Sequence, residues 1–100
     1  MGKNETMAKL AADDVEARVK ELTGWAVEGD AMVKEFRFDG FPDAIAFVVR
    51  LGMAAEVANH HPDLDIRYNR VRVALSTHSE GGITEKDFAL AAEAEAGQQH

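Results

Sequence analysis

Three of the four histidines in this chain lie between residues 60 and 78, and two of them, His60 and His61, are adjacent. The third, His78, follows Thr77, whereas His100 is the last residue and is expected to fray. Histidine is the side chain whose unperturbed pKa allows it to exchange protons near neutral pH. The spacing therefore predicts a site for general acid–base chemistry, provided that the fold brings the three imidazoles together.

Two other interpretations of these histidines stay open at this point. An imidazolium at a helix C-terminus favours the negative end of the helix dipole, so His60 and His61 also fit a structural cap, with His78 on an exposed strand. A three-histidine zinc site would need neutral imidazoles and an open fourth position, but no recognised ligand spacing is present. The chain has no cysteine and no serine in a glycine elbow, so a covalent nucleophile is not indicated.

The composition is that of one acidic globular domain. The chain has 100 residues, a net charge of −7 and no cysteine, which fits a single domain in a reducing cytoplasm. Its acidity argues against nucleic acid as a partner, because phosphate binding requires basic residues. No apolar run approaches the ~20 residues of a membrane span, and the N-terminus lacks the apolar core of a signal peptide. We expect one domain over residues 8–96, with flexible termini at 1–7 and 97–100.

Hydrophobic periodicity predicts three helices and four strands. Two alternating stretches flank Gly29-Asp30 as a hairpin, and a second hairpin turns at Asn69. The order α-β-β-α-β-β-α indicates an α+β fold, a four-stranded antiparallel sheet with helices packed on one face. The predicted elements are a helix over 8–22, strands over 25–28 and 32–38, a helix opened by Pro42 and ended near His60, strands over 65–68 and 70–77, and a helix from Thr84.

The last helix begins at a capping-box pattern in which Asp87 stands where Glu is usual, three residues after Thr84. Phe88, Ala91 and Ala92 are predicted to form its apolar stripe, and the helix is expected to fray by Gly97. In the preceding strand, His78 falls in phase with the arginine face rather than with the core face.

The second helix is apolar nearly all round. Asp43, Arg50 and Glu56 leave only a narrow polar strip on it. One small sheet cannot cover the whole circumference of such a helix, so we expect its outer side to pack on another subunit. The alternative is that its small residues are tolerated at the surface.

Four strings carry a resemblance to a known family. They are Glu56-Val57-Ala58-Asn59-His60-His61-Pro62-Asp63-Leu64, Tyr68-Asn69-Arg70-Val71, Leu75-Ser76-Thr77-His78 and Gly82-Ile83-Thr84-Glu85-Lys86-Asp87. In combination and spacing they resemble pterin-4a-carbinolamine dehydratase, known in animals also as the dimerisation cofactor of a hepatocyte homeodomain factor. The resemblance covers about Leu10 to Ala94 and includes Gly24-Trp25.

The resemblance implies a four-stranded sheet with helices on one side, in dimers or tetramers. It also implies a lyase that removes water from the 4a-hydroxytetrahydropterin left by aromatic amino acid hydroxylases. The product, a quinonoid dihydropterin, is then recycled, and the scheme requires no metal or cofactor. By position, His60 and His78 would be the acid/base pair, and His61 would position the pterin ring.

Further motif positions are expected to bind substrate, and each has a structural alternative. Asp87 can instead cap the last helix, Glu56 can belong to the polar strip, and a lone Trp25 is commonly a core residue. Two positions depart from the family pattern, since many members carry Asp before the histidine pair and Trp two residues after the proline. The expected substrate-binding residues are Glu56, Asn59, Pro62, Trp25 and Asp87, with Asn59 and Leu64 at the two departures.

Other functions use the same fold in relatives of this family. Some act as transcription coactivators or as assembly modules for other enzymes, and pterin binding in molybdopterin metabolism is a further alternative. Retention of all three histidines favours catalysis. The sequence leaves open the pterin side chain, dimer against tetramer, and which histidine is the acid.

Overall fold

The computed structural model describes residues 8–98 and confirms the predicted α+β order. Residues 1–7, 99 and 100 lie outside the described range, and with them most of the expected flexible termini and His100. The elements are α1 (Ala12–Lys20), β1 (Ala26–Glu28), β2 (Ala31–Arg37), α2 (Phe41–Ala58), β3 (Asp63–Arg67), β4 (Arg70–Leu75) and α3 (Glu85–Gln98).

The four strands form one antiparallel sheet in the order β1-β2-β4-β3. Its two central strands are in register with Phe36 opposite Val71. Along β4, Val71, Val73 and Leu75 are fully buried, whereas Arg70 and Arg72 are exposed. Successive strand residues point to opposite faces, so the helices cover the apolar face and leave the arginine face to solvent.

An aromatic cluster fixes α2 across the sheet. The Phe47 ring is fully buried, and its centroid lies 4.8 Å from that of Phe36 and 5.1 Å from that of Phe38. Aromatic pairs at such separations stabilise a core beyond the area that they bury. Because α2 is held in this way, the position of its C-terminus, where the adjacent histidines begin, is also set.

β4 is shorter than predicted because the chain changes its pairing partner after Leu75. Thr77 forms an isolated antiparallel bridge with Gly82, and residues 78–80 form a 3-10 turn. The expectation that His78 falls in phase with the arginine face is therefore wrong, because the strand alternation ends before it. The chain turns back at this point, which places His78 at the sheet end rather than on its outer surface.

The buried face of α3 differs from the predicted stripe. Ala91 is buried as expected, but Ala92 is exposed and Phe88 is only partly buried. Asp87 is 0% exposed and turns inward, because buried groups of Thr77 and Thr84 donate hydrogen bonds to its carboxylate. This rotates the helix so that its inner face consists of Asp87, Leu90, Ala91 and Ala94.

Other element boundaries differ from the predicted ones by one to four residues. α1 occupies the middle of its predicted range, and β3 begins at Asp63, where it pairs with Ala74. α3 continues to Gln98, one residue beyond the expected fraying point. There the Gly97 carbonyl accepts hydrogen bonds from Arg50 Nε at 3.1 Å and Nη2 at 2.7 Å. The end of α3 is thereby tied to α2.

The outer side of α2 carries exposed apolar side chains. Val49 is 52% exposed, Met53 66% and Val57 90%, at successive intervals of four residues along one helix face. We call Val49, Met53 and Val57 the α2 outer stripe.

None of the helices within residues 8–98 is long and apolar enough to cross a bilayer.

Candidate active site

A left-handed turn at the end of α2 comes directly before the two adjacent histidines. Asn59 has φ 54° and ψ 43°, and His60 N–H donates to the Ala55 carbonyl at 3.0 Å, as in a Schellman-type cap. Asn tolerates this conformation better than most side chains. The change of direction sends His60 inward, with 8% of its surface exposed, and His61 outward. Asn59 stands where the family pattern has Asp. Its role in this turn is to adopt the left-handed backbone conformation, which does not require a charged side chain.

His60 is held by a buried carboxylate from α3. Its Nε2 lies 2.5 Å from Asp87 Oδ1, and the Asp87 side chain is 0% exposed. A buried carboxylate is costly unless hydrogen-bond donors surround it. The His60 contact satisfies one oxygen of this carboxylate, and the carboxylate in return fixes the orientation of the ring.

The second oxygen of Asp87 has its own donors. Thr77 Oγ1 donates to Asp87 Oδ2 at 2.8 Å, and the Thr84 N–H donates to the same oxygen at 2.9 Å. The bond from Thr84 N–H is the capping-box contact predicted for the start of α3. Asp87 therefore does both at once: Oδ2 caps α3, and Oδ1 contacts His60.

His61 has a partner of a different kind. Its Nε2 lies 2.8 Å from Glu56 Oε1, one helical turn back on α2. Both side chains are well exposed, 59% for His61 and 79% for Glu56. Exposed pairs of this type contribute little to stability because water screens them. The pair orients His61 at the rim without anchoring it.

The three histidines line one cleft at the end of the sheet. It has a volume of about 250 Å³. His78 reaches it from the 3-10 turn, and Gly81 ends that turn with φ 74°. Nearly all of the lining surface is polar. The lining residues are Asn59, His60, His61, Ser76, Thr77, His78, Ser79 and Lys86.

His78 differs from the other two histidines in having a free ring. Within residues 8–98 its side chain makes no hydrogen bond or ion pair, and it is exposed. Thus one imidazole is anchored in the wall, one is oriented at the rim, and one is free to meet a ligand. Side chains of these three kinds can supply proton donors and acceptors from different sides of one small molecule.

Not every predicted substrate-binding residue reaches this cleft. Asn59 lines it, whereas Glu56 and Asp87 are not among its lining residues but contact His61 and His60. Pro62 follows His61 in the chain and is not among the lining residues either. Trp25 lies elsewhere: it is buried, packs edge-on against Phe36 at 6.0 Å, and donates from Nε1 to Glu95. The structure thus gives Trp25 a core role and does not bring it to the histidines.

Sequence reasoning missed the hydroxyl and ammonium groups of the site. Thr77 and Thr84 support Asp87, and Ser76, Ser79 and Lys86 line the cleft. One signal was present, because Thr77 occupies a core-facing position in the alternation of β4, where a hydroxyl requires a partner. Lys86 had no such signal, since its placement depends on how α3 packs.

The histidines of the cleft are not arranged as the ligands of a metal site. Among residues 8–98, no group of three or more His, Cys, Asp or Glu side chains is arranged to hold a metal ion. His60 already directs one ring nitrogen to Asp87, and His61 directs one to Glu56. The zinc interpretation of the three histidines therefore gains no support from this arrangement.

Known proteins resemble this chain over most of its length. The model of the family described as pterin 4 alpha carbinolamine dehydratase matches residues 8–96. A relative from Chloroflexus aurantiacus, provisionally named pterin-4-alpha-carbinolamine dehydratase, is 51% identical over 86 residues, which is 86% of this chain and 92% of the relative. One from Roseiflexus castenholzii with the same provisional name is 51% identical over 88 residues, 87% of this chain and 95% of the relative.

Solved structures show the same fold. The crystal structure of a transcriptional coactivator/pterin dehydratase from Brucella melitensis has a TM-score of 0.85 and 36% identity, covering 90% of this chain and 98% of its own. A pterin dehydratase-like protein described as a RuBisCO assembly factor in the alpha-carboxysome has a TM-score of 0.62 and 22% identity, covering 75% and 87%. The second likeness concerns the fold alone.

Proposed function

The chain belongs to the pterin 4 alpha carbinolamine dehydratase family, and from that premise we propose that it removes water from a 4a-hydroxytetrahydropterin. One observation carries the proposal: His60, His61 and His78 line a single small cleft, with His60 anchored on buried Asp87. The cleft offers imidazoles and hydroxyls, the groups that a proton-transfer reaction on a polar heterocycle uses.

The proposed reaction breaks one C–O bond and moves two protons. The hydroxyl on carbon 4a is a poor leaving group, so an acid donates a proton to its oxygen, which departs as water. A base accepts the proton from a ring nitrogen, and the electron pair of that N–H bond becomes part of the new C=N bond. The product is a quinonoid dihydropterin, and no oxidant or reductant is consumed.

His60 and His78 are proposed as the acid/base pair. They reach the cleft from different elements, His60 from the end of α2 and His78 from the turn after β4, so they can address two atoms of one ring. His61, oriented by Glu56 at the rim, would position the pterin. Asn59, Pro62 and Lys86 would contribute to binding around these three rings.

The proposed scheme is independent of metal ions, since imidazoles supply both proton transfers. Activity should therefore survive dialysis against a chelator, and loss of activity that added metal restores would contradict this part. The proposal also places the protein in the cytoplasm, without a nucleic-acid ligand, and cell fractionation tests the location.

We also propose that the protein forms a homo-oligomer. The α2 outer stripe exposes three apolar side chains on one helix face, and apolar surface of this kind commonly packs on another chain. The same stripe favours a second candidate function, an adaptor that binds another protein. The two functions are compatible, because the stripe and the histidine cleft are formed by different residues.

The proposed function is tested with a 4a-hydroxytetrahydropterin generated in place by phenylalanine hydroxylase. Purified protein should accelerate its conversion to the quinonoid product above the spontaneous rate. An adaptor without catalytic function would leave that rate unchanged while retaining the fold.

A further inference from the structure

Behind His60 lies a set of buried polar groups that are joined to one another by hydrogen bonds. Thr77, Thr84 and Asp87 are 6%, 0% and 0% exposed. Thr77 Oγ1 lies 2.8 Å from both Thr84 Oγ1 and Asp87 Oδ2. Among residues 8–98, no buried side-chain nitrogen or oxygen lacks a hydrogen-bond partner. Such a fully paired network is expected to have one preferred arrangement of its protons.

The number of available hydrogens fixes that arrangement. The Lys86 N–H donates to Thr84 Oγ1 at 3.2 Å, and a hydroxyl has only one hydrogen to give. The Thr77 hydrogen is used on Asp87 Oδ2, so the bond between the two threonines must be donated by Thr84. The hydrogens therefore all point from the start of α3 towards the Asp87 carboxylate.

We propose that Thr77 and Thr84 are positioning residues that set the tautomer of His60 through Asp87. With two donors on Oδ2, the carboxylate acts as an ionised acceptor, and its other oxygen requires a donor. His60 supplies it by carrying its proton on Nε2. The lone pair of His60 is consequently on Nδ1.

That lone pair is available to a ligand. Nδ1 of His60 has no hydrogen-bond partner within the described residues, and because no buried nitrogen is left unpaired, Nδ1 keeps contact with solvent. His60 also lines the cleft. The network thus assigns His60 the role of base and leaves the role of acid to His78. This assignment rests on the proposed function, whereas the tautomer does not.

The tautomer can be measured without any assay of activity. Ring nitrogens labelled with ¹⁵N distinguish a protonated from an unprotonated site, and alkaline pH keeps imidazoles neutral. His60 should show a protonated Nε2 and an unprotonated Nδ1. In Thr77→Val the Asp87 carboxylate loses a donor, so the Nε2 proton should move to Asp87 Oδ1 while Nδ1 takes up a proton from solvent. His60 then stays neutral in the other tautomer, and the signals of His61 and His78 stay unchanged. A wild-type His60 protonated on Nδ1 alone would overturn the proposal.

The kinetic test uses Thr77→Val, Thr77→Ser and the exposed Thr23→Val as the matched control. Loss of one hydroxyl donor should lower kcat about tenfold with KM nearly unchanged, equivalent to about 1.4 kcal/mol. Thr77→Ser should restore most of the loss, since it keeps the hydroxyl, and Thr23→Val should have no effect. If Thr77→Val keeps wild-type kcat, or Thr77→Ser fails to rescue it, the threonines have no positioning role. If the wild type has the expected tautomer but no dehydratase activity, the proposed function is refuted and the proposed tautomer is not.

Discussion

His60 and Asp87 are 27 residues apart in the chain, yet His60 Nε2 lies 2.5 Å from Asp87 Oδ1. The contact joins the end of α2 to the first turn of α3 and is almost wholly excluded from water. Hydrogen bonds of this charge-assisted type are stronger than neutral ones. The pair therefore links the stability of the domain to the orientation of a cleft histidine.

Asp87→Asn tests this link, with Glu56→Gln as its matched control. Both carboxylates contact a histidine Nε2, but Asp87 is 0% exposed and Glu56 is 79% exposed. Asp87→Asn should lower the free energy of unfolding by about 1–3 kcal/mol, because buried donors lose an acceptor. Glu56→Gln should change it by less than about 0.5 kcal/mol. Denaturant midpoints measure both, and equal effects would show that burial of the pair is unimportant.

Activity should separate the three histidines. His78→Ala is expected to lower kcat by about 10²–10⁴-fold, the usual effect of removing a well-placed proton donor. His61→Ala should mainly raise KM, because His61 is proposed to position the ring rather than to transfer a proton. Steady-state kinetics measure kcat and KM separately, on variants whose circular dichroism spectra match that of the wild type. A large fall in kcat for His61→Ala, with His78→Ala unaffected, would reverse the assigned roles.

Self-association should depend on the α2 outer stripe. Replacing Met53 and Val57 together by Glu puts two charges on a surface that is 66% and 90% exposed in the single chain, so the fold itself should tolerate them. We expect the oligomer to dissociate, as measured by sedimentation equilibrium. Lys20→Glu, at an exposed position of α1, is the control and should leave the mass unchanged. A double variant that keeps the wild-type mass would exclude this stripe as the interface.

One surface ion pair predicts a pH dependence of stability. Arg18 donates to Glu85 from Nη1 at 2.7 Å and from Nη2 at 2.9 Å, and these hydrogen bonds lower the pKa of Glu85 below its ordinary 4.5. Because the folded pKa is the lower one, the pair stabilises the fold above pH 4.5 and loses this effect as pH falls through the folded pKa. Both side chains are nearly half exposed, so screening limits the contribution to about 0.2–1 kcal/mol.

Glu85→Gln is the corresponding measurement. At neutral pH it should be slightly less stable than wild type, and the difference should shrink as the pH is lowered through the range in which Glu85 takes up a proton. Chemical unfolding at a series of pH values tests this. A difference that grows on acidification would mean that the sign of the shift in the pKa of Glu85 is wrong.

The order of elements followed from local patterns, whereas the rotation of α3 did not. Alternation in β4 correctly indicated the buried set Val71, Val73 and Leu75, because a strand has only two faces. A helix has many possible rotations, and the small residues of α3 distinguish them weakly. Asp87, which was expected either to bind substrate or to cap the helix, determines the rotation through partners on other elements.

Spacing predicted that the three histidines share one cleft. It did not predict that they differ in burial and in hydrogen-bond partners. Whether His60 or His61 points inward depends on the left-handed turn at Asn59, and sequence spacing does not specify that turn. Trp25 was expected at the cleft on motif position, yet it packs on Phe36 and Glu95 because β1 is the edge strand away from β3.

The most direct measurement follows the decay of 4a-hydroxytetrahydropterin, formed by phenylalanine hydroxylase, in a stopped-flow spectrometer. Wild-type protein should accelerate formation of the quinonoid product in proportion to its concentration, and a His60→Ala, His78→Ala double variant with an intact fold should not. No acceleration over the spontaneous rate by micromolar wild-type protein, or full acceleration by the double variant, would contradict catalysis at the three-histidine cleft.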